Sequence, residues 1–507
     1  MQLARLEGRC KQTAMFLGVD LGTSSLKVVL LDQSESLVAE AAVPLTTTSL
    51  HPSWCEQDPD AWWSAFRQAL GELQAQEPRA FRAVRALGLS GQMHAALLVD
   101  RRGDAVRPAM LWNDGRAVEE CAELQSAVPD LASVAGIVAM PGFTAPKILW
   151  LRNHEPESFS RLSTVLLAKD FLRLKLTGEA VTDMSDAAGT LYLDQQRRDW
   201  SDDILAATGL DRSVMPRLAE GNDAAGSIHA EGLREFGIDG PVVVAAGAGD
   251  VAAAAIGIGA IADGDAFVSL GTSAQLFVTD ESYRPQPSTL LHAFAHALPG
   301  RWFRMAAMLN GVSCLNWVAR IVGEPEIEKL LDRCESAYRR PSRVLFLPYL
   351  SGERTPHNDA RARGALVGLD PSVEAVDLVQ ATLEGVAFSL LEARQLLEAS
   401  DATLTSVAAV GGGARSRFLM QLVAHVLGVP VVRHAGRENG PAIGAARLAR
   451  MALTGESAEQ VCVKPPVLDV LEPDRALTAA YGERFETYRR LYPALKGLFR
   501  SELTSPP

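Results

Sequence analysis

The sequence predicts an α/β protein made of two halves, each with its own sheet, and three observations lead there. The chain has 507 residues, too many for one ordinary hydrophobic core. Strand-like apolar runs come in two sets, each followed by a long stretch of helical spacing. The tetrapeptide Leu-Gly-Thr-Ser occurs at 21–24 and again at 270–273, both times between β-branched runs.

The first strand set comprises residues 15–20 (MFLGVD), 26–32 (LKVVLLD), 84–89 (VRALGL) and 95–99 (AALLV). The second comprises 241–246 (PVVVAA), 266–270 (AFVSL), 274–279 (AQLFVT) and 405–410 (TSVAAV). Helical spacing covers 377–400, and residues 474–497 read as one terminal amphipathic helix. A strand, the same tight turn and a second strand in each half imply an ancient duplication, with the two turns facing each other. The glycine-rich stretch Gly257–Asp265 marks the boundary, dividing the chain into residues 15–258 and 259–507.

Composition excludes several classes. At 48% hydrophobic and 22% charged the chain is globular, and a net charge of −12 argues against a nucleic-acid or anionic-membrane surface, so an anionic ligand must be held locally. Residues 241–262 are long enough to imitate a membrane span, but Ala and Gly contribute little transfer energy and the central Asp250 opposes insertion, so they read as buried soluble structure. Six scattered cysteines, Cys10 among them, form no CxxC pair and suit a reduced cytoplasm. The first fourteen residues mix charges and lack the apolar run of a secretion signal, and Met15 is an alternative start.

The turn after the first strand has the makings of a phosphate cradle. Gly22 lets the backbone approach a ligand, and Thr23, Ser24 and Ser25 add hydroxyls beside exposed N–H groups. Asp20 at the strand end is electrostatically wrong for phosphate unless a cation lies between, a need that Mg²⁺ meets. A plain polar hairpin turn is the alternative. In the second copy, Gly271, Thr272 and Ser273 repeat the turn while Ser269 replaces the acid, so the two turns could grip one polyphosphate from both sides.

Asp250 ends an apolar run and precedes a small-residue helix. GAGDVAA superficially matches a dinucleotide fingerprint, but an acid after the second glycine repels pyrophosphate. A general base taking the proton of an alcohol that attacks a γ-phosphate fits better, with a helix N-cap as the alternative. The polar islands GLSGQMHAALLV and AMLWNDGRAVEEC bring Gln92, His94, Asn113, Asp114 and Arg116 with the apolar Met93 and Trp112, a set suited to a polyhydroxy ligand; a purely structural His94 is the competing view. His292 and His296 in HAFAH have i,i+4 helical spacing but no glutamate between them, a weak metal case. Gly411, Gly412 and Gly413, with Ala414, form a strand-to-helix turn against which a purine could lie, with Arg415 or Arg417 at its edge; a plain turn is again possible on composition alone.

Together these motifs resemble the FGGY family of carbohydrate kinases, within the actin-like, ribonuclease-H-like ATPases. Two stretches match family signatures whole, GFTAPKILWLRNH (142–154) and GALVGLDPSVEAVDLVQATLE (364–384), and further likeness runs from Met15 almost to the end, including FLPYLSGERTPHND (346–359). The resemblance implies two actin-like domains with a cleft between them and ATP-dependent phosphorylation of a ketopentose, D-xylulose to D-xylulose 5-phosphate. It also implies Asp250 as proton acceptor, Met93 and His94 on the sugar, Asp20 on metal and phosphates, and the run from Gly411 near the adenosine. Departures from the family pattern fall at Val251, Ala95, Ala274-Gln275 and Pro441, which leaves another ketose or a polyol as an alternative acceptor. A non-catalytic, chaperone-like ATP binder is the alternative from another class. A homodimer is compatible with all of these.

Overall fold

The computed structural model describes residues 14–338, 340–435 and 440–499, so Cys10 and the other residues of 1–13 lie outside the described chain. Two seven-stranded sheets carry the fold. The first contains β1 (Met15–Leu21), β2 (Ser25–Leu31), β3 (Leu37–Pro44), β4 (Val84–Gly91), β5 (Ala224–Ser227), β6 (Val243–Ala245) and β7 (Ala248–Gly249). The second contains β8 (Ala266–Leu270), β9 (Ala274–Asp280), β10 (His292–Ala295), β11 (Trp302–Met308), β12 (Val407–Val410), β13 (Val431–His434) and β14 (Val467–Leu471).

The duplication read from the repeated turn extends to the topology. In the first sheet β3, β2 and β1 form an antiparallel meander, β1 lies parallel to β4 and β4 to β6, and β5 closes the edge antiparallel. In the second, β11, β9 and β8 form the meander, β8 runs parallel to β12 and β12 to β13, and β14 closes antiparallel. Leu-Gly-Thr-Ser joins the first two strands of both sheets.

The helices that place the site are α1 (Pro59–Gln76), α2 (Thr144–His154), α3 (Ala168–Thr177), α4 (Asp250–Ile258), α5 (Ala375–Ala399), α6 (Arg417–Leu427), α7 (Gly440–Thr454), α8 (Arg475–Tyr488) and α9 (Leu491–Phe499). The membrane-like stretch resolves into β6, β7 and α4, and every residue of α4 after Asp250 is buried. Among the described residues no helix is long and apolar enough to cross a membrane. Three expectations change. The run at 241–246, read with the second strand set, is β6 of the first sheet, paired parallel with β4. The segment 474–497 is two helices, broken at Arg489–Arg490, because Pro493 lacks an N–H and its ring clashes with the carbonyl four residues back. HAFAH is strand β10 paired with β11, so His292 and His296 do not share a helical face. Among the described residues no cluster of three His, Cys, Asp or Glu could hold a metal.

Helix α7, late in the chain, packs on the first sheet. A Cβ on Gly18 would lie 1.8 Å from the Ala442 carbonyl oxygen, and one on Gly88 1.8 Å from that of Ala445, so only bare backbone at β1 and β4 admits the helix. α7 also meets α4 through Gly257 and Gly444, and Arg447 pins the contact by donating to the carbonyls of Ile256 and Gly257 and pairing with Glu35 at 2.6 Å.

Candidate active site

Sheet register brings the two strand-end acids together. Asp20 of β1 pairs with Ser90 of β4, and Ser90 pairs with Ala248 of β7, the second residue before Asp250. Both acids therefore stand at the carboxyl ends of the two parallel strands that flank β4, where open α/β sheets place their ligands. The Ser90 hydroxyl donates to Asp20 at 3.2 Å, and the Val251 amide donates to Asp250 at 2.8 Å. Asp250 is pushed up to about 7, by burial first and then by the Asp20 charge. Burial likewise raises Asp20 to about 6 against the opposing pull of Lys27. Such a partly buried acid pair can hold and pass a proton near neutrality.

The loop before Asp250 is fixed from beneath. Ser185, in the short helix Met184–Ala188, donates to Asp183 at 2.5 Å and accepts from the Gly249 amide at 3.1 Å. Asp183 belongs to a dry cluster in which Lys169 of α3 lies 2.6 Å from Asp170, 2.9 Å from Asp183 and 3.3 Å from Asp186. Burial would depress the Lys169 pKa, but the three carboxylates outweigh it and hold the ammonium charged.

The first Leu-Gly-Thr-Ser turn is closed by the Gly22 amide donating to the Ser25 carbonyl, with Ser24 exposed at its tip. Thr23 donates to Gln92 at 3.0 Å and accepts from the Trp112 indole at 3.0 Å, and Gln57 donates to its carbonyl. The second turn is closed by Gly271 donating to Ser273, leaving Thr272 exposed. Gly411 has φ of +84°, and a Cβ there would meet the Leu270 carbonyl oxygen at 2.7 Å, so the glycine turn lies against the start of the second Leu-Gly-Thr-Ser. Gly411, Gly412 and Arg415 then share a cavity of about 520 Å³ with Lys27 and Val28 of β2 and Glu40–Ala42 of β3. Both halves thus line one gap. Gly413 and Ala414 are buried behind it, and Arg417 heads α6 and faces Asp469 at 3.6 Å, so Arg415 is the arginine on the cavity wall.

On the other side of Asp250, Met93 fills the space beside Gly249, where a Cβ would lie 2.8 Å from its Cγ. His94 has φ of +69°, its Nδ1 lies 2.7 Å from the Gly189 carbonyl, and its ring packs on Phe143 at 4.4 Å. That backbone is held by the first signature stretch: Lys147 of α2, fully buried, donates to the carbonyls of His94, Met110 and Leu111, and Thr144 to that of His94. Burial lowers Lys147 to about 7. Gln92 donates to Gln57 and links the turn to this wall. Asp114 has both oxygens engaged, by Arg116 and by the Cys55 and Arg116 amides, so it braces the island, while Asn113 is exposed. Arg116 in turn stacks over Trp54 at 3.7 Å.

Sequence reasoning did not single out Gln57, Ser90, Ser185 or Lys169, and it named no role for Arg354. Arg354 reaches from the second half, its guanidinium 5.9 Å from the Trp112 ring. Nothing in spacing marks these residues: Gln57, Ser90, Ser185 and Arg354 act through partners 34 or more positions away, and Lys169 gathers carboxylates up to 17 positions on.

A sheet-end acid pair with glycine turns from two duplicated halves closing on one gap defines a two-lobed phosphotransfer enzyme. The chain belongs to the FGGY family of carbohydrate kinases, whose N-terminal domain matches residues 15–257 and whose C-terminal domain matches 266–453. It is 44% identical to the xylulose kinase of Escherichia coli (strain K12), covering 95% of this chain and 99% of that one. Among solved structures, a xyloylose kinase from Brucella ovis superposes with a TM-score of 0.92 at 45% identity, covering 96% of this chain and 100% of that one. A gluconate kinase from Lactobacillus acidophilus superposes at 0.88 with 25% identity, covering 95% and 98%.

Proposed function

We propose that this chain transfers the γ-phosphoryl group of ATP to D-xylulose, giving D-xylulose 5-phosphate and ADP. The observation that carries the reading is the placement of Asp20 and Asp250 at the ends of β1 and β7, the strands that flank β4, in a molecule whose two halves also line one gap. The two likenesses to kinases of xylulose support the acceptor.

In this reading Asp250 accepts the proton of the attacking hydroxyl, and its position on a helix locked by α7 keeps it aimed. In the turn that Gly22 closes, the amides of Thr23 and Ser24 and the Ser24 hydroxyl take phosphate oxygens from one lobe, and in the turn that Gly271 closes, the amides and hydroxyls of Thr272 and Ser273 take them from the other. Gly411 and Gly412 receive the adenosine, with Arg415 at its edge and Gly413 and Ala414 buried behind them, while Arg417 faces Asp469. Met93, His94 and Gln92 wall the sugar, with Asn113 and Asp114 on the adjoining loop.

Mg²⁺ fits Asp20: a half-buried carboxylate whose burial outweighs Lys27 and the Ser90 hydrogen bond, and whose charge in turn raises Asp250, is stabilised by an added cation. Carried in with ATP, that ion would screen the charge of the phosphates. The free cysteines among the described residues suit work in the cytoplasm.

The test is ADP release measured with D-xylulose, xylitol, glycerol and D-gluconate. The reading expects the highest kcat/KM with D-xylulose and dependence on Mg²⁺; a higher value with any of the others sinks it.

A further inference from the structure

The wall of the site facing His94 comes from the second half of the chain and carries polar groups with no partner. His292 of β10 is fully buried, and neither ring nitrogen makes a hydrogen bond of proper geometry, although the Met305 backbone lies close enough to favour its protonated form. Its ring lies 5.9 Å from Phe143, the ring that packs on His94 from the opposite half. Arg354 is half-buried, and its guanidinium makes no hydrogen bond or ion pair with a described residue. Its sequence neighbour Glu353 is already engaged by the Leu309 and Arg354 amides and the Asn310 side chain.

Strand β11 ties the two together: Met305 pairs with His292, and two residues on, Ala307 exchanges backbone and hydroxyl hydrogen bonds with Thr355. The His94 and His292 rings lie against Phe143 at 4.4 and 5.9 Å, and the Arg354 charge depresses the pKa of both, leaving the positive charge on the guanidinium and both imidazoles neutral.

A neutral imidazole withdrawn from water without a partner is costly unless a ligand completes it, and the half-buried guanidinium beside it has donors to offer that ligand. We propose that Arg354 and His292 bind the carbonyl end of an open-chain ketose, and so set the preference for a ketose over the matching polyol. The planar fork suits the lone pairs of a carbonyl oxygen and an adjacent hydroxyl, whereas a polyol offers an sp³ oxygen that also brings a proton needing an acceptor. Because both residues belong to the second half and His94 to the first, the sugar's carbonyl end also bridges the halves. The inference rests on the ketopentose reading and adds to it which residues tell ketose from polyol.

The experiment compares kcat/KM for D-xylulose, xylitol and D-gluconate in the wild type, Arg354→Gln, Arg354→Lys and His292→Leu, with ATP affinity by calorimetry as the check on folding. Loss of a charge-assisted hydrogen bond should lower kcat/KM for D-xylulose about 10- to 150-fold in Arg354→Gln, mainly through KM, and change xylitol by less than about threefold. Arg354→Lys and His292→Leu should fall between the wild type and Arg354→Gln in the ketose-to-polyol ratio. An equal loss on both sugars, or a wild type that prefers D-gluconate, overturns the assignment. If Arg354→Gln no longer binds ATP, the lysine variant decides: a ratio equal to the wild type overturns the proposal, and a lowered one supports it. A wild type inactive on D-xylulose ends the ketopentose reading and this inference together, whereas an active wild type with unchanged ratios in the variants ends this inference alone.

Discussion

Replacing Asp250 by Asn should abolish turnover and stabilise the protein in the same stroke. Asparagine keeps the side-chain oxygen that accepts from the Val251 amide at 2.8 Å, so the helix start is preserved while the base is lost. Loss of a general base lowers kcat by about 10²- to 10⁴-fold, or about 3–5 kcal/mol of barrier. The stability gain follows from the raised pKa: between 3.8 and about 7, at about 1.4 kcal/mol per pH unit, the ionised carboxylate costs the fold at most about 4 kcal/mol. Asp250 opens partly to the gap, and water there reduces this to about 2 kcal/mol, or a Tm about 3–6 °C higher for the variant. Because the folded pKa is raised above the unfolded one, the fold binds the proton more tightly. The wild-type penalty therefore grows from about pH 4 and levels off above about pH 7, and the Tm difference should follow that course. Scanning calorimetry from pH 4 to 8 reads the stability, and coupled ADP detection over the same range reads the rate, whose rising limb should reflect the joint titration of Asp250 and Asp20. A variant that keeps more than about a tenth of wild-type kcat, or one whose Tm advantage shrinks with rising pH, refutes the role and the electrostatics respectively.

Three other substitutions probe the frame of the site. Gly88→Ala places a Cβ 1.8 Å from the Ala445 carbonyl oxygen, so α7 must lift from the first sheet, and the urea midpoint should fall by the equivalent of about 3 kcal/mol. Lys169→Met strips the cation from Asp170, Asp183 and Asp186; a loss of about 3–5 kcal/mol is expected at neutral pH, easing as acid protonates the carboxylates, as thermal unfolding at pH 5 and 7.5 would read. Thr23→Val leaves the Trp112 indole N–H and the Gln92 carbonyl without their partner, which should cost about 1–3 kcal/mol and raise the KM for sugar through the loosened Trp112 wall.

Much of the architecture is written locally. Alternating and continuous apolar runs mark β1, β2, β4, β8 and β9 to within a residue or two, because a strand's pattern is complete within itself. The repeated Leu-Gly-Thr-Ser is visible for the same reason, and with it the two halves. HAFAH shows the limit: two histidines four apart satisfy a helical period, yet pairing with Trp302–Met305 of β11 made the segment a strand, a choice set by residues outside the motif.

The site divides along the same line. Asp20, Asp250 and the glycine turns stand out in the sequence because each sits at a strand end, and strand ends can be read one at a time. That Asp20 raises the proton affinity of Asp250, that Lys147 holds the backbone of His94, and that Arg354 arrives from the far half depend on sheet register and on the docking of α7. Those contacts span tens to hundreds of positions, and a chain specifies them only through the summed packing of two sheets. No single stretch carries them, so only the tertiary structure decided them.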